Sequence, residues 1–438
     1  VKADQQRRQT QPEPAAPGAR VTQLELFFDL VYVFAFLKVT TTSATYFGGQ
    51  ALLASFVLLA LLWSAWSSFS LLGNTVRIDQ GPLSLFAFAT TAAVFVAAVS
   101  IPEAFMERPP GPPGPPGDLV FAAGYLVVQV LQLAAFRYAT QGAPHRWANV
   151  GKLATAPLAA TALLFLAALF GGEGPLGTTI RYGLWVLAVV VVYGAALILP
   201  VRGSTVVSAS HWADRHAQII LVALGESVIA LGIGPGLQAE LPITWPVLGA
   251  VALGITLLAA LWWAYFDVRA IAAERVLRRA RGATRAALAR DAYTYLHLLM
   301  VFGIILLALG IKRLLAAIAD PAAANTRVAA HGIDPYVLYG GVVIYLVALF
   351  AFQVRTIRRL DPYSVVVVIV LTGLVAIAGQ LPALATLALL TGAVVLGTAG
   401  QSLRTRQQRQ KIRQGHLAEQ RALEHAEAQI RGDHPDEV

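Results

Sequence analysis

The sequence predicts an all-α, polytopic integral membrane protein with about twelve transmembrane helices, arranged as two parallel six-helix repeats. Three observations predict it. Only 13% of the residues are charged and 57% are hydrophobic, against about 25% charged in ordinary soluble domains. Apolar runs of around 20 residues recur along the chain, the length a helix needs to cross hydrocarbon. Basic residues collect in alternate connections between those runs.

The spans read at residues 22–43, 51–72, 82–101, 119–139, 153–170, 179–200, 217–235, 246–266, 293–311, 336–354, 363–380 and 384–401. A polar segment over 1–20 precedes them, with no apolar core of a cleavable signal. A polar, helix-prone tail over 403–438 follows. Between the third and fourth spans, Pro109 to Gly117 repeats Pro-Pro-Gly. Three triplets are too few for a collagen helix, so the tract reads as a stiff loop.

Orientation follows from charge. All but six of the 33 Lys and Arg residues lie on the side that holds the N-terminus; the exceptions are Lys38, Arg108, Arg181, Lys312, Arg313 and Arg327. Positive charge marks the cytoplasmic side, so both termini are expected in the cytoplasm. The net charge of +9 is then orientation charge and not a nucleic-acid surface. The chain has no Cys, which excludes disulfides and thiolate metal sites. Abundant Ala and Arg over Lys point to a bacterial gene, and so to a bacterial cytoplasmic membrane.

The two halves, 21–200 and 201–402, resemble each other at an offset of 197 residues. Phe28-Asp29-Leu30-Val31 lies over Gly225-Glu226-Ser227-Val228, Trp66 over Trp263 and Phe69 over Phe266. An even number of spans per half gives both halves one orientation.

Ionisable residues within apolar spans are the candidates for chemistry, because a central carboxylate costs roughly 2.5–3.5 kcal/mol on insertion scales. Glu25 and Asp29 are four apart and share a helix face. Asp29 falls roughly 10 Å inside the first span, and Glu226 about 15 Å deep in the seventh. Two inward carboxylates bind a cation or share protons; the structural alternative is a helix–helix hydrogen bond to Ser, Tyr, Trp or Arg. Glu25 alone reads equally as an interfacial cap. His297, at the start of the ninth span, is a proton relay or a satisfied structural histidine. His211-Trp-Ala-Asp214-Arg215-His216 fits no strong zinc spacing and reads as an interface cap. Arg77 and Asp79, with Asp267 and Arg269, read as ion pairs that lock the cytoplasmic end. Lys38 reads as snorkelling to the opposite surface. Trp63, Trp66, Trp262 and Trp263 read as packing or interfacial residues.

The run Glu25-Leu-Phe-Phe-Asp29-Leu-Val-Tyr-Val-Phe-Ala35 resembles the bacterial low temperature requirement A family. Further matching stretches are His211 to His216, Leu224-Gly-Glu-Ser-Val228, Trp262-Trp-Ala-Tyr-Phe-Asp267 and Tyr293-Thr-Tyr-Leu-His297. The likeness runs from about residue 20 to residue 400. Asp214 departs from it, standing where the family usually has Glu, and so does Tyr32, where Phe is commoner. The resemblance implies a fold and a membrane location, but no substrate: the family name records a cold-growth phenotype.

Together these readings favour a transporter or channel for a cation or small solute over an enzyme. Glu25, Asp29, Glu226 and His297 would line the pathway, with Arg77, Asp79, Asp214, Arg215, His216 and Asp267 as supporting polar residues. An intramembrane lipid-modifying enzyme, or a sensor or scaffold linked to low-temperature growth, is the alternative. No catalytic residue, metal or cofactor is expected. The expected partners are the bilayer and an unidentified cation or small molecule, in a monomer or a homodimer, with no nucleic acid.

Overall fold

The computed structural model describes residues 13–16, 18–105, 114–141, 146–172, 174–198, 206–233, 243–319, 334–359 and 362–433. Residues 109–113 of the Pro-Pro-Gly tract and residues 199–205, where the two proposed halves meet, lie outside the described residues.

Each expected span falls on a helix over most of its described residues. In chain order the helices are α1 (Gln23–Thr45), α2 (Gly49–Thr75), α3 (Pro82–Phe105), α4 (Gly117–Ala139), α5 (Arg146–Phe170) and α6 (Gly174–Ile198). Then come α7 (Ala209–Ile233), α8 (Trp245–Phe266), α9 (Arg269–Arg279) and α10 (Gly282–Leu288). A π-helical stretch over Ala289–Tyr295 leads into α11 (Leu296–Ala319). The chain closes with α12 (Asp334–Ile357), α13 (Pro362–Ala378), α14 (Ala383–Arg404) and α15 (Arg406–Asp433). Among the described residues, ten helical stretches are long and apolar enough to cross a membrane. With α1 and the 17-residue α13, they account for the twelve segments read from the sequence.

Local chemistry sets several boundaries. Thr22 and Glu25 form a reciprocal capping box that starts α1, the hydroxyl of Thr22 accepting from the Glu25 N–H and the Glu25 carboxylate accepting from the Thr22 N–H. The Thr244 hydroxyl caps α8 by accepting from the Val247 N–H. α9 buries Arg269, Ala273 and Leu277, one residue every turn, and leaves Arg278 and Arg279 exposed. Two readings of span limits change. The seventh helix begins at Ala209, so His211 to His216 forms its first turns rather than a cap ahead of it. The helix containing the ninth span runs on to Ala319, which places Lys312 within it.

α11 is the most buried of the spanning helices and α6 the least. α11 packs most extensively on α12, and also on α7 and α1. The α11–α12 seam is built on glycine, as close helix contacts in membranes commonly are. A Cβ at Gly303 would stand 2.6 Å from both the Gly341 oxygen and the Tyr345 nitrogen. Both are backbone atoms, which cannot swing aside. Gly303→Val is therefore expected to destabilise the protein by about 1–3 kcal/mol, the usual range for overpacking. Gly340→Val, where nothing lies within 4 Å, is the control. Thermal unfolding in detergent compares the two, and equal losses would refute the seam.

The N-terminal segment is tied down where it is described. The Ala15 N–H donates to the Thr75 oxygen at 3.0 Å, and the Arg77 N–H to the Glu13 oxygen at 3.0 Å. The tail helix α15 is also held. Arg409 and Arg413 both pair with Asp267 at the end of α8, and Arg275 and Arg278 of α9 reach Glu419 at 3.7 and 3.5 Å.

Candidate functional site

α1 and α7 lie side by side and run in the same direction. Three contacts fix this: Glu25 with His211, Asp29 with Arg215, and Thr40 with Glu226. Each joins residues 186 apart, so the two helices keep one register throughout. From Asp29 to Thr40 is eleven residues, or about 16 Å along the axis. Polar contacts thus gather at two depths with apolar turns between.

The first cluster lies near the start of α1. Arg215 grips Asp29 with both terminal nitrogens, Nη1 to Oδ2 at 2.7 Å and Nη2 to Oδ1 at 2.9 Å. The indole N–H of Trp66 on α2 donates to the same carboxylate at 2.8 Å. Arg215 Nη1 also donates to the Glu25 carbonyl at 3.1 Å, and its Nε lies 3.7 Å from the Glu25 carboxylate. His211 Nε2 stands 2.9 Å from Glu25 Oε1. None of these four ionisable side chains is more than 3% exposed.

Asn74 settles how His211 is oriented. Its Oδ1 accepts from the Val207 N–H at 2.7 Å, and its Nδ2 donates to the Ser208 carbonyl at 2.7 Å. The amide therefore has one orientation, and its Nδ2 faces His211 Nδ1 at 3.3 Å. That nitrogen must accept, which leaves Nε2–H to donate to Glu25. With His211 neutral, the cluster holds two carboxylates against one guanidinium. One negative charge is in excess, and Glu25, in the first turn of α1, also accepts from the Thr22 N–H and hydroxyl at 2.9 and 3.1 Å. Gly73 lets Glu25 sit this close to α2: a Cβ there would fall 2.2 Å from Glu25 Oε1.

The second cluster lies farther along the same two helices. Lys312 of α11 donates to Glu226 Oε1 at 2.8 Å and to the Thr40 hydroxyl at 2.6 Å. The Thr40 hydroxyl is also 2.6 Å from Glu226 Oε1. Glu226 is fully buried and Lys312 nearly so. Glu226 Oε2 has no hydrogen-bond partner among the described residues. This pair balances in charge, unlike the first.

An aromatic wall continues inward from Asp29. Trp66 stacks on Trp63, and its ring meets the edge of the His216 ring at 5.0 Å. His216 faces His297 at 5.1 Å. His297 Nδ1 is 3.0 Å from the Ala292 carbonyl, five residues back, and its Nε2 is 2.8 Å from the Tyr265 hydroxyl. The carbonyl can only accept, so Nδ1 carries the proton and Nε2 accepts from Tyr265. The five-residue spacing is that of the π-helical turn, a geometry frequent at functional positions. It presents Tyr293 in a parallel stack on His297.

The expected site residues are therefore not all in one place. Glu25, Asp29 and Arg215 meet directly, while His216 and His297 adjoin them through Trp66. Asp29 and Glu226 do not converge; they sit at the two depths, each with its own cation. Arg77 and Asp79 pair with each other at 3.2 Å on a partly exposed connection, and Asp267 takes its partners from the tail, so the four charges do not form a shared lock. Arg269 instead bonds Gln353 and Gln401. Asp214 is half-buried on α7. Lys38 lies over the Phe34 ring at 5.3 Å. Positions 197 apart have unlike surroundings: Trp66 is buried, while Trp263 is 42% exposed.

Two cavities lie along α1, and neither is lined by the carboxylates of the two clusters. One of about 920 Å³ is lined by Thr22, Gly73, Arg77, Asp79 and His211. Another of about 270 Å³, toward the far end of α1, is lined by Thr42, Ser43, Tyr46, Gln50, Ser55 and Tyr182.

Apolar spanning helices closed around ion-paired side chains define a polytopic helical membrane protein with a charged interior. The chain belongs to the family described as Bacterial low temperature requirement A protein (LtrA), which it matches over residues 20–399. An uncharacterized protein of Rhizobium meliloti is 28% identical over 300 residues, covering 65% of this chain and 67% of that relative. The resemblance read from the Glu25–Ala35 run and its companion stretches is thereby confirmed.

Proposed function

We propose that the protein is a proton-coupled secondary carrier of the bacterial cytoplasmic membrane, with both termini in the cytoplasm and two six-span halves. The observation that carries this reading is the excess carboxylate of the Glu25–Asp29–Arg215–His211 cluster. Buried ion pairs contribute little net stability, because desolvation offsets their attraction. A bundle that keeps one unbalanced carboxyl group beside a balanced pair about 16 Å away is arranged to take up and release a proton. In this reading Asp29–Arg215 closes the cytoplasmic side and Glu226–Lys312 the outer side. The cavity at His211 opens beside the first cluster, and the cavity at Ser43 and Ser55 lies along the far end of α1. Carboxylates held in ion pairs away from these cavities favour a carrier over an open channel.

Proteoliposomes with a pH-sensitive dye in the lumen test the reading. Gradients of Na⁺, K⁺ and hydrophobic carboxylates are imposed in turn. At least one gradient is expected to move protons faster than in protein-free liposomes, and Asp29→Asn with Glu226→Gln should abolish that movement. No proton movement under any of these gradients, or undiminished movement in the double variant, would overturn the proposal.

A further inference from the structure

The largely apolar cavity between α5, α6 and the body of the bundle is not used by the charge clusters. It has a volume of about 690 Å³, within the range that suits a drug-sized ligand. Much of its wall is apolar, including Leu71, Pro157, Val192 and the alanines of α10. Lys152 and Arg290 also line it, and no carboxylate does among its described lining residues. Lys152 is exposed, and the Arg290 side chain is 37% exposed. Arg290 pairs with Asp291, which is shared with Arg355, so this pair group keeps a net positive charge.

Two residues of its wall each carry an unsatisfied polar atom. The Trp212 indole N–H and the Ser67 hydroxyl are buried and have no hydrogen-bond partner among the described residues. Trp212 is 4% exposed and lines the cavity. An indole N–H can only donate, so what satisfies it must be an acceptor. Two cations, an unpaired donor and apolar walls exclude a cationic ligand and select an anionic one with an apolar body. The size favours a single-chain molecule over a diacyl lipid.

The geometry points to this cavity as the binding site for an amphipathic organic carboxylate, its charged end at Lys152 and Arg290 and its body against Trp212. This deepens the carrier reading and rests on it for the step of transport. Trp212 connects the two regions: its ring lies 4.7 Å from that of His216, which meets Trp66 beside Asp29. A ligand seated on Trp212 thus presses on the wall of the proton-binding cluster.

The test is photolabelling of the full-length protein in detergent with a diazirine-bearing dodecanoate, followed by peptide mapping. Labels are expected in residues 152–157, 192–196 and 282–295. Lys152→Gln should raise the concentration needed for half-labelling about tenfold, the worth of one charge-assisted hydrogen bond. Lys152→Arg should restore it, Trp212→Phe should weaken it, and the matching diazirine alcohol should not respond to Lys152→Gln. Labels scattered over the lipid-facing helices, or labelling indifferent to both variants, would overturn the site. So would displacement of the label by phosphatidylglycerol but not by unlabelled dodecanoate. Because binding is read without transport, the two proposals fail separately. Cavity labelling without coupled proton flux rejects the carrier and keeps the site, and the reverse result rejects the site alone.

Discussion

Arg215→Met is expected to destabilise the protein by about 3–5 kcal/mol, the range for removing one member of a buried ion pair. Arg215 holds Asp29 through two short bonds and also donates to the Glu25 carbonyl. Its loss leaves two carboxylates buried with no formal positive charge beside them. Neutralising the carboxyl that Arg215 served should recover most of the loss. Asp29→Asn keeps an acceptor for the Trp66 indole and removes the stranded charge, so the Asp29→Asn, Arg215→Met double variant should unfold near the wild-type midpoint. Denaturant or thermal unfolding in a fixed detergent reads all three. A single variant with wild-type stability would refute the ion-paired arrangement. A double variant no better than the single one would show that Arg215 acts through packing on Trp66 rather than through charge.

Lys312→Met is expected to cost less, near the lower end of that range. Glu226 would keep the Thr40 hydroxyl, and it can shed its charge by taking up a proton. Glu226→Gln in the same chain should restore stability. Function is expected to part from stability here: the Glu226→Gln, Lys312→Met protein folds but no longer moves protons in the liposome assay. The same measurement in the Asp29→Asn, Arg215→Met protein shows whether each pair is needed alone. Retained proton movement in both double variants would leave the two pairs with a structural role only.

The spanning helices were legible because the bilayer imposes a length and a composition on each one. The buried carboxylates were legible for the converse reason, since Asp29 and Glu226 violate that composition. Their partners were not. Aligning the halves sets Asp29 over Glu226 at an offset of 197, but contact between α1 and α7 follows an offset of 186. Equivalence in sequence says which residues correspond; axial packing decides which residues touch. The difference of eleven residues moves the two carboxylates about 16 Å apart. An apolar run ended at residue 311 leaves Lys312 in the outer connection. Leu314, Leu315 and Ile318 carry that run onward, a signal that would have placed the lysine inside. A seventh span that starts at 217 leaves His211 and Arg215 outside the helix, whereas the helix starts at Ala209. Trp66 gave no cue at all, because an indole that serves a carboxylate and one that only packs read identically in sequence. The π-helical turn before His297 is equally silent, since one extra residue per turn leaves no trace in an apolar pattern.

The constant spacing along α1 and α7 restricts how this pair can rearrange. Sliding one helix past the other by even one residue would break the contacts at both depths together and leave both sets of charges buried without their partners. Tilting breaks them one at a time: when the helices splay at one end, the far contact becomes the fulcrum and stays intact. In the carrier reading the pair would rock on one contact or the other, with the stretch from Leu30 to Val39 as the arm between the two pivots.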